Sequence, residues 1–378
     1  MSFEGFIFSE KTSLLNDQEY NHAIKLLSCI DLIIQERDQI SNIKSGSKKI
    51  LLPDEGWHPN SQPTFEIDGS TKNAQTSYTL LAKGDRDIIR KLRLYGQAFT
   101  GYQLATLSFA ENRPWLSRKL PSNWDEILSL LAGRPDQSVF DYVSVATALP
   151  KELRIRPPKK FGEIGWLYDG VIINDDVYSY LERICLMYEN GLIGHLKEKQ
   201  RVSKTLKIIE IGGGFGGLAY YLIDIFDEKV NYSIIDIPES LAFSSIYLSI
   251  LFPRLFNKIM TRYDNSLLKN ISQLNFLPNF MSSEIELNDE PVDLIINTLS
   301  LSEMSDDQIN DYCKLISYLI GNSGIFFEQN HQSNNSGPGG FLPKYFKNLK
   351  KCQSKILPNS YPHRRGNANF WVNSTYTG

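Results

Sequence analysis

Residues 208–219 read Ile-Ile-Glu-Ile-Gly-Gly-Gly-Phe-Gly-Gly-Leu-Ala. An apolar run ends in an acid and a glycine cluster follows. Glycine serves where backbone takes positive φ or must press against a ligand with no Cβ between them. Gly212, Gly214 and Gly216 alternate, and Glu210 stands two residues before the first of them. A second acid, Asp236, ends the next strand-like run, Tyr232-Ser233-Ile234-Ile235-Asp236. That spacing suits a carboxylate gripping the ribose hydroxyls of a nucleotide-like ligand. Further on, His331 and His363 titrate near neutrality when unperturbed and can serve as general bases. His331 follows the apolar run Ile325-Phe326-Phe327, and His363 sits in Tyr361-Pro362-His363-Arg364-Arg365-Gly366, whose arginines suit a phosphate or carboxylate. The plain alternative for that run is a solvated basic turn. His22, His58 and His195 have no such setting.

Groups of this kind need a scaffold that brings strand ends together. From residue 206 strands and helices alternate, which predicts a parallel sheet covered on both faces, a Rossmann-like α/β fold. Strands are expected at 206–211, 231–236, 274–280, 292–297 and 324–330, with helices near 216–226, 239–250 and 306–320. Ser305 followed by Asp306 and Asp307 opens the last helix favourably. Gln353–Leu357 and Asn369–Asn373 read as a terminal antiparallel pair. Upstream, residues 1–150 read as a mainly helical domain. Tyr20, Ile24, Leu27, Ile30 and Ile34 keep helical spacing, as do Ile88, Leu92, Tyr95, Phe99 and Tyr102. Ser122 with Asp125 signals a capped helix. Residues 44–77, rich in Pro, Gly, Ser, Asn and Lys, read either as a lid or as a surface insertion. Residues 151–205 connect the two parts: Pro157-Pro158 breaks any helix, and Asn174 caps one carrying Val177, Leu181, Ile184 and Tyr188. The last domain is 206–378.

The glycines alone leave two ligands open, because Gly212, Gly214 and Gly217 also fit the dinucleotide pattern of an NAD site. The acid before the loop and the order of elements after it resemble the class I S-adenosylmethionine (SAM)-dependent methyltransferases. More narrowly, the chain resembles a sugar O-methyltransferase family of bacterial carbohydrate clusters. The likeness runs through Gly162-Glu163-Ile164-Gly165, Asp169-Gly170, Asn174-Asp175, Tyr180 with Arg183, Glu210–Gly217, Asp236–Glu239, Asn297–Met304 and Glu328–Asn330, over roughly residues 160–375. This resemblance implies a seven-stranded sheet with an antiparallel last strand and SAM as cofactor. It implies cofactor contacts from Glu210, Gly212, Gly213, Gly214, Gly216, Asp236, Ile237 and Leu301, with Tyr180 and Arg183 meeting the cofactor's carboxylate. Phe280, or Met281, is the candidate adenine wall. In the frame Leu301-Ser302-Glu303-Met304-Ser305-Asp306-Asp307, plant-type O-methyltransferases place a catalytic histidine where Ser302 stands. The base therefore falls to His331, His363 or Glu303. Glu303 and Glu328 are the only acids considered for a cation, and no metal is expected.

The acceptor implied is a sugar hydroxyl, on a nucleotide-sugar or a glycan end. A peptide or small natural product (hydroxyl, carboxylate or amine) is the rival acceptor, and a non-catalytic SAM- or sugar-binding module is the rival of another class. The 378-residue chain carries a net charge of −3, which argues against a general nucleic-acid binder. Cys29, Cys185, Cys313 and Cys352 show no metal-ligand spacing. No leader and no membrane span is read, so a cytoplasmic protein is expected. A homodimer stays open.

Overall fold

The computed structural model describes residues 5–8, 14–43, 74–96, 137–261, 273–285, 291–331, 337–357 and 366–373. The chain divides into two compact units, Met1–Ser28 with Glu55–Arg183, and Cys29–Asp54 with Ile184–Gly378.

The first unit holds β1 (Gly5–Phe8), the start of α1 (Asp17–Ile43), α2 (Ala74–Leu81), α3 (Arg86–Arg90), α4 (Leu92–Tyr95), α5 (Gln137–Ala148), β2 (Ile164–Tyr168), β3 (Val171–Ile173) and most of α6 (Asp175–Glu189). The helical spacing at 20–34 becomes α1. The second stripe is interrupted at Lys91, where the backbone leaves helical dihedrals, so α3 and α4 replace one helix. The break turns Arg93 inward, where its Nε lies 3.1 Å from Glu163 Oε2 and its Nη2 bonds Asp176. Phe99, Tyr102, the Ser122 cap and residues 44–73 lie outside the described residues, while 74–77 open α2 rather than ending a loop.

Neither the helical reading of 1–150 nor the reading of 151–205 as a connector with one helix anticipated the antiparallel sheet of order β1-β2-β3. Gly165 makes it possible, since a Cβ there would lie 2.3 Å from the Ile173 carbonyl oxygen. Asn174 caps α6 as expected, accepting the Val177 N–H at 2.9 Å. Its amide also donates to Glu163 Oε1 at 2.6 Å and to the Ile164 carbonyl at 2.8 Å. Burial pushes the Glu163 carboxyl above its usual range even with Arg93 beside it.

The second unit takes up the rest of α1 and α6 and continues with α7 (Leu192–Ser203), β4 (Leu206–Ile211), α8 (Gly217–Ile225), β5 (Val230–Asp236), α9 (Pro238–Leu251), β6 (Phe256–Ile259), β7 (Gln273–Pro278), β8 (Leu294–Thr298), α10 (Asp306–Ile320), β9 (Ile325–Gln329), α11 (Pro338–Tyr345), β10 (Phe346–Lys351) and β11 (Ala368–Asn373). Its sheet has the order β10-β11-β9-β8-β4-β5-β7-β6. β11 runs antiparallel to both neighbours, and the pairs from β9 through β6 are parallel. Every residue of β4 is buried, as a central parallel strand with helices on both faces requires. This is the Rossmann-like α/β architecture expected, with one strand more than the seven anticipated: β6 extends the β7 edge. Ser305 does cap α10, in a full capping box with Gln308.

The terminal pair needs correction. The partner of β11 is β10, and Gln353–Leu357 is not a strand. That segment is bent and tied to α6 instead, with the Lys355 N–H on Glu189 Oε1 at 3.1 Å and the Gln353 N–H on Asn190 Oδ1 at 3.3 Å. β10 reads poorly as a strand because Lys347, Lys350 and Lys351 are all exposed on it. Lysines on an outer strand discourage further strand addition. Of the four free cysteines Cys29 is exposed and Cys185, Cys313 and Cys352 are buried. Among the described residues no helix is long and apolar enough to cross a membrane.

Candidate functional site

In the second unit the chain builds outward from β4, first to β5 and later to β8 on its other side. Where connections leave in opposite directions, the carboxyl ends of the strands open a crevice. The loops after β4, β5, β8 and β9 converge there.

The loop after β4 takes its shape from glycine. Gly212, Gly214 and Gly216 have φ of 72°, 59° and 88°, a region costly for residues with a Cβ. Gly212 is also crowded, since a Cβ there would lie 2.2 Å from Ser300 Oγ. Gly213 covers the Glu210 carboxyl, which an added Cβ would meet at 3.3 Å. Glu210 is buried and accepts the Tyr232 hydroxyl at 2.8 Å. Burial, then the neighbouring Glu210 charge, holds the Tyr232 hydroxyl well above its usual pKa.

Asp236 ends β5 and binds the same loop. Its Oδ2 accepts the Gly214 N–H at 2.9 Å and the Ser240 hydroxyl at 2.9 Å, and its Oδ1 accepts the Ile237 N–H at 2.8 Å. A carboxylate oxygen has capacity for more than one donor, so Oδ1 can still receive a ligand hydroxyl. Burial raises the Asp236 carboxyl to about 6, against the lowering effect of these three bonds. Ile237 is buried at the N-cap of α9.

On the β8 side, Asn297 binds the two loops together. Its amide donates to the Ile211 carbonyl at 2.9 Å and to Ser300 Oγ at 2.5 Å, and its Oδ1 accepts the Leu301 N–H at 3.2 Å. Leu299 takes a positive φ of 69°, which turns the chain sharply into the short helical turn Ser300–Glu303. Leu301 is fully buried there, and Glu303 is exposed. Ser302, at the position of the missing histidine, donates to the Leu299 carbonyl at 2.7 Å and accepts the His331 N–H at 3.2 Å. His331 itself is exposed. Ser302 and His331, expected from different strands, thus lie side by side. Gly366 presses on the same place, where a Cβ would lie 2.0 Å from the Asn330 carbonyl oxygen. His363 lies outside the described residues.

Glu328 has a different task from the cation ligand considered for it. Buried on β9, it accepts Asn369 Nδ2 at 2.7 Å, Trp371 Nε1 at 3.2 Å and Asn330 Nδ2 at 3.0 Å. Burial nevertheless pushes its carboxyl pKa up. These bonds hold the antiparallel strand β11 in register. Glu328→Gln would turn an amide N–H toward these donors and should destabilise the protein by about 1–3 kcal/mol in thermal unfolding. Among the described residues no group of three His, Cys, Asp or Glu could hold a metal ion.

Phe280, in the turn Asn279–Glu284 after β7, and Met281 beside it are both buried. Tyr180 and Arg183 lie on α6 in the first unit and are buried. Burial, then the Asp176 charge, raises the Tyr180 hydroxyl well above its usual pKa. Three contributors lacked a usable sequence signal. Ser240 and Tyr232 read as ordinary helix and strand residues, and Asn297 entered only as the first residue of the resembling segment Asn297–Met304, with no role of its own.

The residues around the loop fit an adenosyl-type cofactor: bare glycine backbone over a buried acid, and beside it a carboxylate with spare acceptor capacity. No family model and no curated protein sequence matches the chain. Solved structures similar to it include MtNAS in complex with MTA and tNA (11% identity, 53% of this chain and 66% of that chain, TM-score 0.29). Another is the mitomycin 7-O-methyltransferase MmcR (13% identity, 52% and 57%, TM-score 0.30). A third is magnesium protoporphyrin IX methyltransferase (ChlM) from Synechocystis PCC 6803 with bound SAM (9% identity, 63% and 98%, TM-score 0.34). The chain spans just under two thirds of the length of the first of these. What fixes the fold is the strand order and register described above.

Proposed function

We propose that the chain is a SAM-dependent O-methyltransferase whose acceptor is a sugar hydroxyl, on a nucleotide-sugar or a glycan end. The observation that carries this reading is the left-handed loop of Gly212, Gly214 and Gly216 at the end of β4, bonded through the Gly214 N–H to the carboxylate that ends β5. When bound, the cofactor supplies a methyl group on a sulfonium, activated for in-line displacement. Gly212, Gly213, Gly214 and Gly216, with Glu210 behind them, would hold its methionine portion. Asp236 and Ile237 would hold the ribose, Leu301 would support the loop from the β8 side, and Phe280 would face the adenine. The acceptor hydroxyl must lose a proton, and the imidazole of His331, whose backbone N–H is bonded to Ser302 Oγ, is the group we assign to take it.

Isothermal titration with SAM, S-adenosylhomocysteine and NAD tests the first half. Binding of the first two without NAD is expected, and NAD binding alone would overturn the reading. Transfer of labelled methyl from SAM to nucleotide-sugars and glycan fragments tests the second. His331→Ala should lower kcat about 100-fold while leaving SAM affinity unchanged. Full activity in that variant would instead favour a carboxylate acceptor, which needs no base.

A further inference from the structure

In the second unit one buried ion pair lies just behind the proposed ribose carboxylate. Arg37, on α1, places Nη1 2.9 Å from both Oε1 and Oε2 of Glu239. Both side chains are only 2% exposed. The Nε of Arg37 also lies 3.3 Å from Oδ1 of the exposed Asp38. Glu239 stands in the first turn of α9, where the helix dipole favours an acid.

From Glu239 the chain runs back through Pro238 and Ile237 to Asp236, and Asp236 holds Gly214. A continuous set of contacts thus leads from Arg37 to the glycine loop. We propose that Arg37 is a positioning residue of the cofactor site: by neutralising and anchoring Glu239 it fixes the turn that carries Asp236 and keeps that carboxylate available. This rests on the proposed SAM site and deepens it.

Among the described residues, two ionisable groups face Asp236. Glu239, on its own turn, disfavours its ionised form, and Tyr312, on α10, has its hydroxyl pKa raised partly by the Asp236 charge. Removing Arg37 leaves the Glu239 charge uncompensated, which makes Asp236 harder to ionise. Neutralising Glu239 leaves the Arg37 charge uncompensated, which makes it easier.

The test is SAM affinity measured by titration calorimetry from pH 5 to 8. For Arg37→Met the midpoint of the pH dependence should rise by about half a unit or more, which lowers affinity about threefold at pH 5.5 and little at pH 7.5. For Glu239→Gln the midpoint should fall. The double variant R37M/E239Q, which buries no charge at either position, should return the midpoint toward the wild type. If R37M does not fold, the E239Q and double variants carry the comparison. A purely structural pair would weaken binding in both single variants with no opposed shift, and that result would overturn the proposal. A wild-type protein that fails to bind SAM at any pH would instead remove the proposed function itself.

Discussion

Gly212→Ala should abolish measurable SAM binding and lower the melting temperature. Two costs coincide at this position. Its φ of 72° is left-handed, and an L-residue pays roughly 1–2 kcal/mol to stay there. An added Cβ would also lie 2.2 Å from Ser300 Oγ and 2.4 Å from Ser300 Cβ. Ser300 has little room to retreat, because its hydroxyl donates to the Ile211 carbonyl at 3.2 Å and accepts from Asn297 at 2.5 Å. Overpacking of this kind costs about 1–3 kcal/mol. Relief comes only by displacing the loop from the β8 side, the movement that ligand binding tolerates least. If both costs fall on binding, the loss is on the order of a thousandfold. Scanning fluorimetry and titration calorimetry check the two effects separately. G212A/S300G should recover part of the stability, since it removes the clash, but not the affinity, since the backbone strain remains. Wild-type affinity in Gly212→Ala would refute the role given to this loop.

The glycine loop was legible in the sequence because left-handed backbone leaves few residues to choose from, so the conformation shows directly in composition. The parallel strands β4, β5 and β8 were legible for a similar reason: strands buried on both faces are predominantly apolar and β-branched, as Ile208, Ile209, Ile211, Ile234, Ile235, Ile295 and Ile296 are here. β10 was not, since an outer strand carrying three exposed lysines has neither apolar alternation nor a β-rich composition. The segment 353–357 looked more like a strand, but Glu189 and Asn190, far upstream, had already claimed its backbone. Glu328 shows the limit most clearly. An acid after two phenylalanines at a strand end reads as a ligand-binding group. Its partners Asn369 and Trp371 lie 41 and 43 residues further on, and only the antiparallel register of β11 on β9 brings them to it. Arg37 and Glu239 are 202 residues apart, and a charged residue on a long helix carries no mark of a distant partner.

Asp236 gives the second large effect, because its titration falls inside the range of an ordinary binding experiment. Its carboxyl is raised from 3.8 to about 6, chiefly by burial. Ribose hydroxyls donate to a carboxylate, so the protonated acid is the weaker partner. SAM affinity of the wild-type protein should therefore be flat above pH 7 and fall by up to about tenfold per unit as pH drops below 6. Unfolding does not mimic this. A carboxyl whose pKa is raised in the folded state makes its full contribution to stability below its unfolded value, near 3.8, and that contribution is lost as pH rises through about 6. For this group, then, acidification from pH 7 to 5 favours the fold while it disfavours the ligand. Asp236→Asn removes the charge at every pH. Losing the charge-assisted part of one or two hydrogen bonds, about 1.5–3 kcal/mol each, should cost about 100- to 1000-fold in affinity at pH 7.5. The pH step near 6 should vanish with it, and because the new amide N–H must face either the Gly214 or the Ile237 N–H, the variant should also lose about 1–3 kcal/mol of stability. A wild-type affinity that stays constant from pH 5 to 8 would mean that Asp236 does not face the ligand.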